Sequence, residues 1–313
     1  MKKKIVVIGG GTGVFTVLSG LKNYSTDLAA VVNMSDDGGS TGILREEFGI
    51  LPPGDIRRAL VALSRSDNKI LSDLFNFRFN KGAGLTGHNF GNLMITALER
   101  ITGDFASAIH EASKILSVDG RVIPVTLNNS KLYASLEDGT LIKGETNIDI
   151  PNHDGRLKIK KVWLRPGAQI NPKAKKAILD ARAVIIGPGD LFTSIMPNLL
   201  VAGMKEALRA SKAKKIYIVN LMTKFGETNG FSAEDFIKVI SDAIGGESLD
   251  YVIINNKMPS LARLKKYAEE KSLLISHGDL PPKPTPIVGD FLRNRELIRH
   301  DPDKLAKTIL SLI

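Results

Sequence analysis

The chain has 313 residues, 43% of them hydrophobic and 24% charged, and no cysteine. That length fits one large domain or two closely joined ones with a substantial core, and the missing cysteine excludes thiol nucleophiles, disulfides and cysteine-based zinc sites. Lysine plus arginine exceed aspartate plus glutamate by 43 to 33, a net charge of +10 that favours anionic partners.

The opening run Lys2-Lys3-Lys4-Ile5-Val6-Val7-Ile8 is closed by Gly9-Gly10-Gly11, too early for a signal peptide. No later apolar stretch approaches the ~20 residues of a membrane span, so a cytoplasmic protein without a span is expected. Residues 4–8 read as a strand, and Val14, Val17, Leu18 and Leu21 then recur at helical spacing. Leu28 to Met34 follows as a continuous apolar strand, which completes a parallel βαβ unit. Residues 55–80 read as helical, followed by a helical pair over about Gly91–Ile101 and Asp104–Leu116. Residues 121–165 read as β-rich, with Glu137-Asp138-Gly139-Thr140 as a hairpin turn.

The βα grammar then returns. Ala183–Ile186 leads to Gly187-Pro188-Gly189-Asp190 and a helix over about Thr193–Arg209. Ile216–Val219 leads to Asn220 and a helix near Ser232–Ile244, with Ser232 as N-cap and Asp235 as its acid. Tyr251–Ile254 leads to a helix around Ser260–Glu270, and Pro302–Leu312 closes the chain as a helix. The expected fold class is α/β: one domain over 1–313 on an open, mainly parallel sheet, a helical and β-rich region over 50–165, and the second half of the core over 166–313.

The unusual residues follow the strands, and in an open parallel sheet such loops converge on one edge where ligands bind. Gly9-Gly10-Gly11-Thr12-Gly13 lets the backbone approach an anion at a helix N-terminus, and Gly10, Gly11, Thr12 and Gly13 are the candidate contacts. The loop matches neither the dinucleotide G-x-G-x-x-G pattern nor the P-loop, and a purely structural turn is the alternative reading. Asp36-Asp37-Gly38-Gly39 sets two adjacent carboxylates, costly to hold without a cation, at the second turn. An Mg2+ ion held by Asp36 and Asp37 against phosphate would relieve the repulsion, and a helix-capping turn is the alternative.

In Pro52-Pro53-Gly54-Asp55-Ile56-Arg57-Arg58, Asp55 suits an N-cap. Arg57 and Arg58 oppose the helix dipole in the first turn, and an anion clamp by one of them, Arg57 above all, would explain the placement. His88, Asn89 and Asn92 lie in a glycine-flanked loop that reads as ligand-orienting, without the partners that a general base needs. Gly187, Gly189, Asp190 and Thr193 form a second candidate anion nest, and Asn220 joins the same edge. Aromatic content is only 6% and lysines such as Lys173, Lys175, Lys176, Lys212, Lys214 and Lys215 are scattered, so a phosphorylated small molecule is expected, and no nucleic acid.

Several motifs in register, GGGTG at 9–13, DDGGSTG at 36–42, PPGDIRRAL at 52–60, GHNFGNL at 87–93, GPGDLFTSIMPNLL at 187–200, NLMTKFGET at 220–228 and LIRHD at 297–301, carry a resemblance. The chain resembles the YvcK-like gluconeogenesis factor family, within the superfamily of 2-phospho-L-lactate transferase (CofD). The resemblance implies a Rossmann-like core with an inserted helical and β region. It also implies binding of a UDP-sugar such as UDP-N-acetylglucosamine, and a role in cell-wall morphogenesis and carbon metabolism without turnover. By motif match, Tyr267 and Arg299 would contact the nucleotide-sugar. The transferase branch implies the alternative, Mg2+-dependent transfer of a phospholactyl group to a deazaflavin. Catalytic residues are not assigned, and a homo-oligomer is compatible with this reading.

Overall fold

The computed structural model describes residues 2–65, 69–246 and 248–313; three residues of the helical stretch expected over 55–80, numbers 66–68, lie outside these. Seven parallel strands form the large sheet in the order β10-β9-β8-β7-β1-β2-β3, which places β1 (Lys3–Gly9) between β2 (Thr26–Val32) and β7 (Ala183–Ile186). The chain winds outward from β1 through β2 to β3 (Arg121–Pro124), then restarts on the other side through β7, β8 (Lys214–Ile218), β9 (Tyr251–Asn255) and β10 (Thr285–Gly289). The winding direction therefore reverses between β1 and β7, the place where an open α/β sheet leaves a crevice. All of Ile5–Ile8 and Val184–Ile186 are buried, as expected for strands covered on both faces.

The first unit runs β1, α1 (Gly11–Leu21), β2, α2 (Gly39–Phe48), with α1 burying Val14, Val17, Leu18 and Leu21. Next come α3 (Gly54–Leu63), α4 (Lys69–Asn76), α5 (Phe90–Thr102) and α6 (Phe105–Ile115). Within residues 50–165, β3 returns to the large sheet, whereas β4 (Lys131–Leu136), β5 (Leu141–Lys143) and β6 (Ile159–Arg165) form a separate antiparallel sheet in the order β5-β4-β6. The hairpin over 137–140 is present, with Gly139 at φ 92° and the Thr140 N–H donating to Asp138 Oδ1. A five-residue helix, α7 (Glu145–Asp149), had no counterpart in the sequence reading.

After α8 (Pro172–Leu179) and β7, the helix expected over 193–209 is broken into a wide π-type turn over Leu191–Ile195, α9 (Met196–Leu199) and α10 (Met204–Ala210). Gly203 at φ 90° interrupts the run, and Pro197 lacks the N–H that would continue it inward. Helix α11 (Ala233–Ile244) carries the expected capping box, with Ser232 and Asp235 bonding each other's backbone N–H. The chain ends with α12 (Leu261–Glu269), β10 and α13 (Pro302–Ser311). Strand β10 also lay outside the sequence reading: Pro286 interrupts its pattern, and proline is tolerated there because β10 is an edge strand.

Candidate functional site

The carboxyl ends of β1 and β7 open into a cleft of about 700 Å³ lined by the loops that follow β1, β2 and β7, by the start of α3 and by α7. Helix α1 starts at Gly11 without a side-chain cap, so its dipole faces the cleft beside the exposed Thr12. One donor of this turn is already used: the Gly11 N–H donates to Asp55 Oδ1 at 2.9 Å. A Cβ on Gly10 would lie 2.3 Å from Asp55 Oδ2, so glycine is what lets that carboxylate close over the loop. Gly13 packs backbone to backbone on Pro188 of the loop after β7, which joins the two glycine loops directly.

The two adjacent aspartates part company. Asp36 lines the cleft and accepts from the Gly38 N–H, and burial raises its pKa against the opposing pull of that bond and of Arg58. Asp37 points away: its oxygens accept from the backbone N–H groups of Glu145 and Thr146 and from the Thr146 hydroxyl. It anchors the N-terminus of α7, and it is not among the groups that line the cleft. Asp55, unlike Asp37, lines the cleft with Asp36, and burial and then the Asp36 charge push it up to about 6. Helix α2 also begins uncapped, with Gly38 and Gly39 on the cleft and open space where a Gly39 side chain would begin.

Asp55 is not the cap of α3; that position is Pro53, and Asp55 sits one residue inside the helix. Its register also sorts the arginines. Arg57 is buried, donating to Asn92 Oδ1 and Asn76 Oδ1, and burial lowers its pKa to about 10. Its guanidinium braces α4 and α5, whereas Arg58, with 42% of its side chain exposed, pairs with Asp55 at 3.3 Å. Both arginines line the cleft, Arg57 with its guanidinium already bonded within the protein and Arg58 with the more exposed one. Around α5, Asn89 is the N-cap, accepting from the Asn92 N–H, and His88 sits 3.4 Å from Ser40 Oγ. Neither lines the cleft, while Asn92 does, with Nδ2 donating to Ser40 and Thr41.

In the expected second anion nest Gly189 and Asn220 line the cleft, and three of its donors already have acceptors within the protein. The Gly189 N–H donates to Asn220 Oδ1, the Phe192 N–H to Glu227 Oε2 and the Thr193 hydroxyl to Glu227 Oε1. Gly187 holds φ 73° at the turn and Thr193 is fully buried, so both are structural, and Ser194 supplies the hydroxyl at the cleft. Asp190 does line it, paired with Lys224 at 3.1 Å. Lys224 also pairs with Asp149 of α7 and lies 3.7 Å from Glu227. Burial works against the Lys224 charge, yet Asp190, Glu227 and Asp149 hold its pKa above the usual lysine value. Glu227 is pushed up to about 8 by burial and Asp190, and Glu145 to about 10 by burial and then Asp36.

At the opposite end, Tyr267 and the exposed Arg299 both line the cleft, and the Tyr267 hydroxyl accepts from the Ile298 N–H at 3.1 Å. Tyr267 packs on Leu221, Leu292 and Ile298, a small apolar cluster separate from the main core. Burial lowers His300, beside them, to about 4, so it is neutral at neutral pH. Arg58 aside, the residues that the sequence reading missed are Arg78, Glu145, Asp149 and Lys224, all on the cleft, and Glu227 behind it. No helix among the described residues is long and apolar enough to cross a membrane.

Residues 5–283 match the family described as 2-phospho-L-lactate transferase CofD. The chain is similar to the gluconeogenesis factor of Halalkalibacterium halodurans, with 41% identity over 315 residues covering 99% of this chain and 96% of that protein. It is equally similar to the gluconeogenesis factor of Bacillus subtilis, 41% identical over 318 residues and covering 100% and 98%. A crystal structure of a Bacillus halodurans protein superposes with a TM-score of 0.93 at 40% identity, covering 99% of this chain and 100% of that one.

Proposed function

The chain belongs to the CofD family and is similar along its length to gluconeogenesis factors, and from that premise we propose that it is a cytoplasmic regulatory protein that binds a nucleotide-sugar, UDP-N-acetylglucosamine or a close relative. The observation that carries this reading is that one continuous cleft joins the Gly10–Gly13 turn to Tyr267 and Arg299. Two uncapped helix N-termini and Arg58 suit a diphosphate at one end. Tyr267 offers a half-buried ring and Arg299 an exposed side chain for the remainder of the ligand. Ligand occupancy would then report sugar-nucleotide supply to cell-wall synthesis and carbon metabolism. Isothermal titration with UDP-N-acetylglucosamine tests it: saturable binding is expected, weakened in Thr12→Ala and Arg299→Ala. No binding, together with Mg2+-dependent transfer to a deazaflavin acceptor, would replace this reading by the transferase one.

That second reading has its own support in Asp36 and Asp55, which both line the cleft and whose carboxyl pKa values are raised, that of Asp55 by burial and the Asp36 charge. Such a pair fits a divalent cation, which would neutralise both and offer phosphate oxygens a Lewis acid. Asp36 and Asp55 would hold it, and Arg58 would orient the anion beside it.

A further inference from the structure

The net charge of +10 is not concentrated in the cleft, whose lining sets Asp36, Asp55, Glu145, Asp149 and Asp190 against its cations. Four cations lie together elsewhere, on the small sheet. Cross-strand pairing opposes Lys131 to Arg165, Tyr133 to both Trp163 and Lys143, and Ser135 to both Lys161 and Leu141. Residues directly opposite one another share a face, and positions two apart on β4 share it as well. Lys131, Tyr133, Ser135, Leu141, Lys143, Lys161, Trp163 and Arg165 therefore lie on one face, while Leu132, Ala134, Leu136, Ile142 and Val162 pack the other into the core.

On that outer face the rings of Tyr133 and Trp163 lie nearly parallel, at 22° with centroids 5.8 Å apart, and both are half-buried. Lys143, Lys161 and Arg165 are exposed around them, and so is Leu141, at 70%. Among the described residues, Lys131, Lys143, Lys161 and Arg165 make no ion pair with a carboxylate. None of the eight residues of this face lines the cleft.

We propose that this face, the stacked Tyr133–Trp163 pair ringed by Lys131, Lys143, Lys161 and Arg165, is a docking surface for single-stranded nucleic acid. Unpaired cations alone would suit any polyanion. Base stacking on aromatic rings beside a cationic track is what single strands use, and the stack is tolerant of sequence. A second copy of this chain is disfavoured, because a self-complementary contact would set these cations against themselves. Antiparallel pairing brings Lys131, Lys143, Lys161 and Arg165, up to 34 positions apart in sequence, onto one face. The surface is independent of the nucleotide-sugar reading and stands or falls apart from it.

Trp163 is the chain's one tryptophan, so its fluorescence reports on this surface alone. Titrating the full chain with an oligouridylate of about 12 nucleotides at low salt is expected to quench that fluorescence saturably. Because Z neutralised phosphates give a log–log salt slope of about −0.7Z, four cations correspond to a slope of about −3. Lys143→Glu combined with Lys161→Glu is expected to weaken binding at least about tenfold while the melting midpoint and UDP-sugar titration stay unchanged, and Tyr133→Leu is expected to weaken it about tenfold. Absence of quenching, equal affinity in the charge-reversed variant, or polyglutamate binding as tightly as the oligonucleotide would each overturn the proposal; the last would assign the face to an acidic polypeptide.

Discussion

The carbonyl oxygen of Pro188 stands where a side chain on Gly13 would begin: a Cβ there would lie 1.9 Å away. The neighbouring atom is backbone, so it cannot swing aside as a side chain would. Gly13→Ala is expected to push the loops after β1 and β7 apart, destabilising the fold by about 1–3 kcal/mol. Denaturant unfolding at fixed m-value measures this, and loss of ligand affinity should accompany it because the two loops share the cleft.

Arg57 and Arg58 should respond oppositely to truncation. Arg57→Ala strands Asn92 Oδ1 and Asn76 Oδ1, both acceptors of its guanidinium, and is expected to cost about 1–3 kcal/mol of stability. Arg58→Ala loses an ion pair that is 42% exposed on the arginine side but 7% on the Asp55 side, so its stability cost should be smaller than that of Arg57→Ala and shrink as acid protonates Asp55. Its effect should fall on ligand affinity, by about tenfold if the guanidinium contacts phosphate. Thermal melts and titration of both variants separate the two roles.

Glu145 supplies a pH signature. Its folded pKa is raised to about 10 by burial and the Asp36 charge, from an ordinary value of 4.5. Between those values the folded state holds a proton that the unfolded chain has released, so stability is full below about pH 4.5 and is lost as pH rises towards 10. Glu145→Gln, neutral at every pH, is expected to flatten this loss. Chemical denaturation at several pH values, with chelator present to exclude cations, compares the two slopes.

Lys224 neutralises a cluster of Asp149, Asp190 and Glu227 with only 28% of its own side chain exposed. Lys224→Met removes the cation from that cluster and is expected to cost roughly 3 kcal/mol at neutral pH. Acidification should restore part of it as the carboxyl groups protonate. The three carboxyl groups lie within 4.8 Å of one another, so a divalent cation should also rescue the variant more than the wild type.

How much of this was legible in the sequence depends on range. The Gly10–Gly13 turn, the capping box at Ser232 and the winding of short apolar strands are local patterns, and all are present in the structure. The choice between Arg57 and Arg58 is not local, since adjacent helical residues differ by about 100° in direction and only packing on α4 and α5 decides. Lys224 and Glu227 stand three positions apart, but Asp149 and Asp190 join them through contacts across the fold that no spacing announces. Asp37 misled for a related reason: its partners, Glu145 and Thr146, lie more than a hundred positions away.

That distant bond between Asp37 and the start of α7 limits how the site can be divided. The second βα turn cannot be transplanted to another α/β frame as a self-sufficient unit, because its carboxylate is anchored in a segment borrowed from outside the sheet. A graft would have to carry 144–149 with it. Shortening that segment should loosen Asp36 and Gly39 without touching either, so diversification of the insert is also diversification of the pocket.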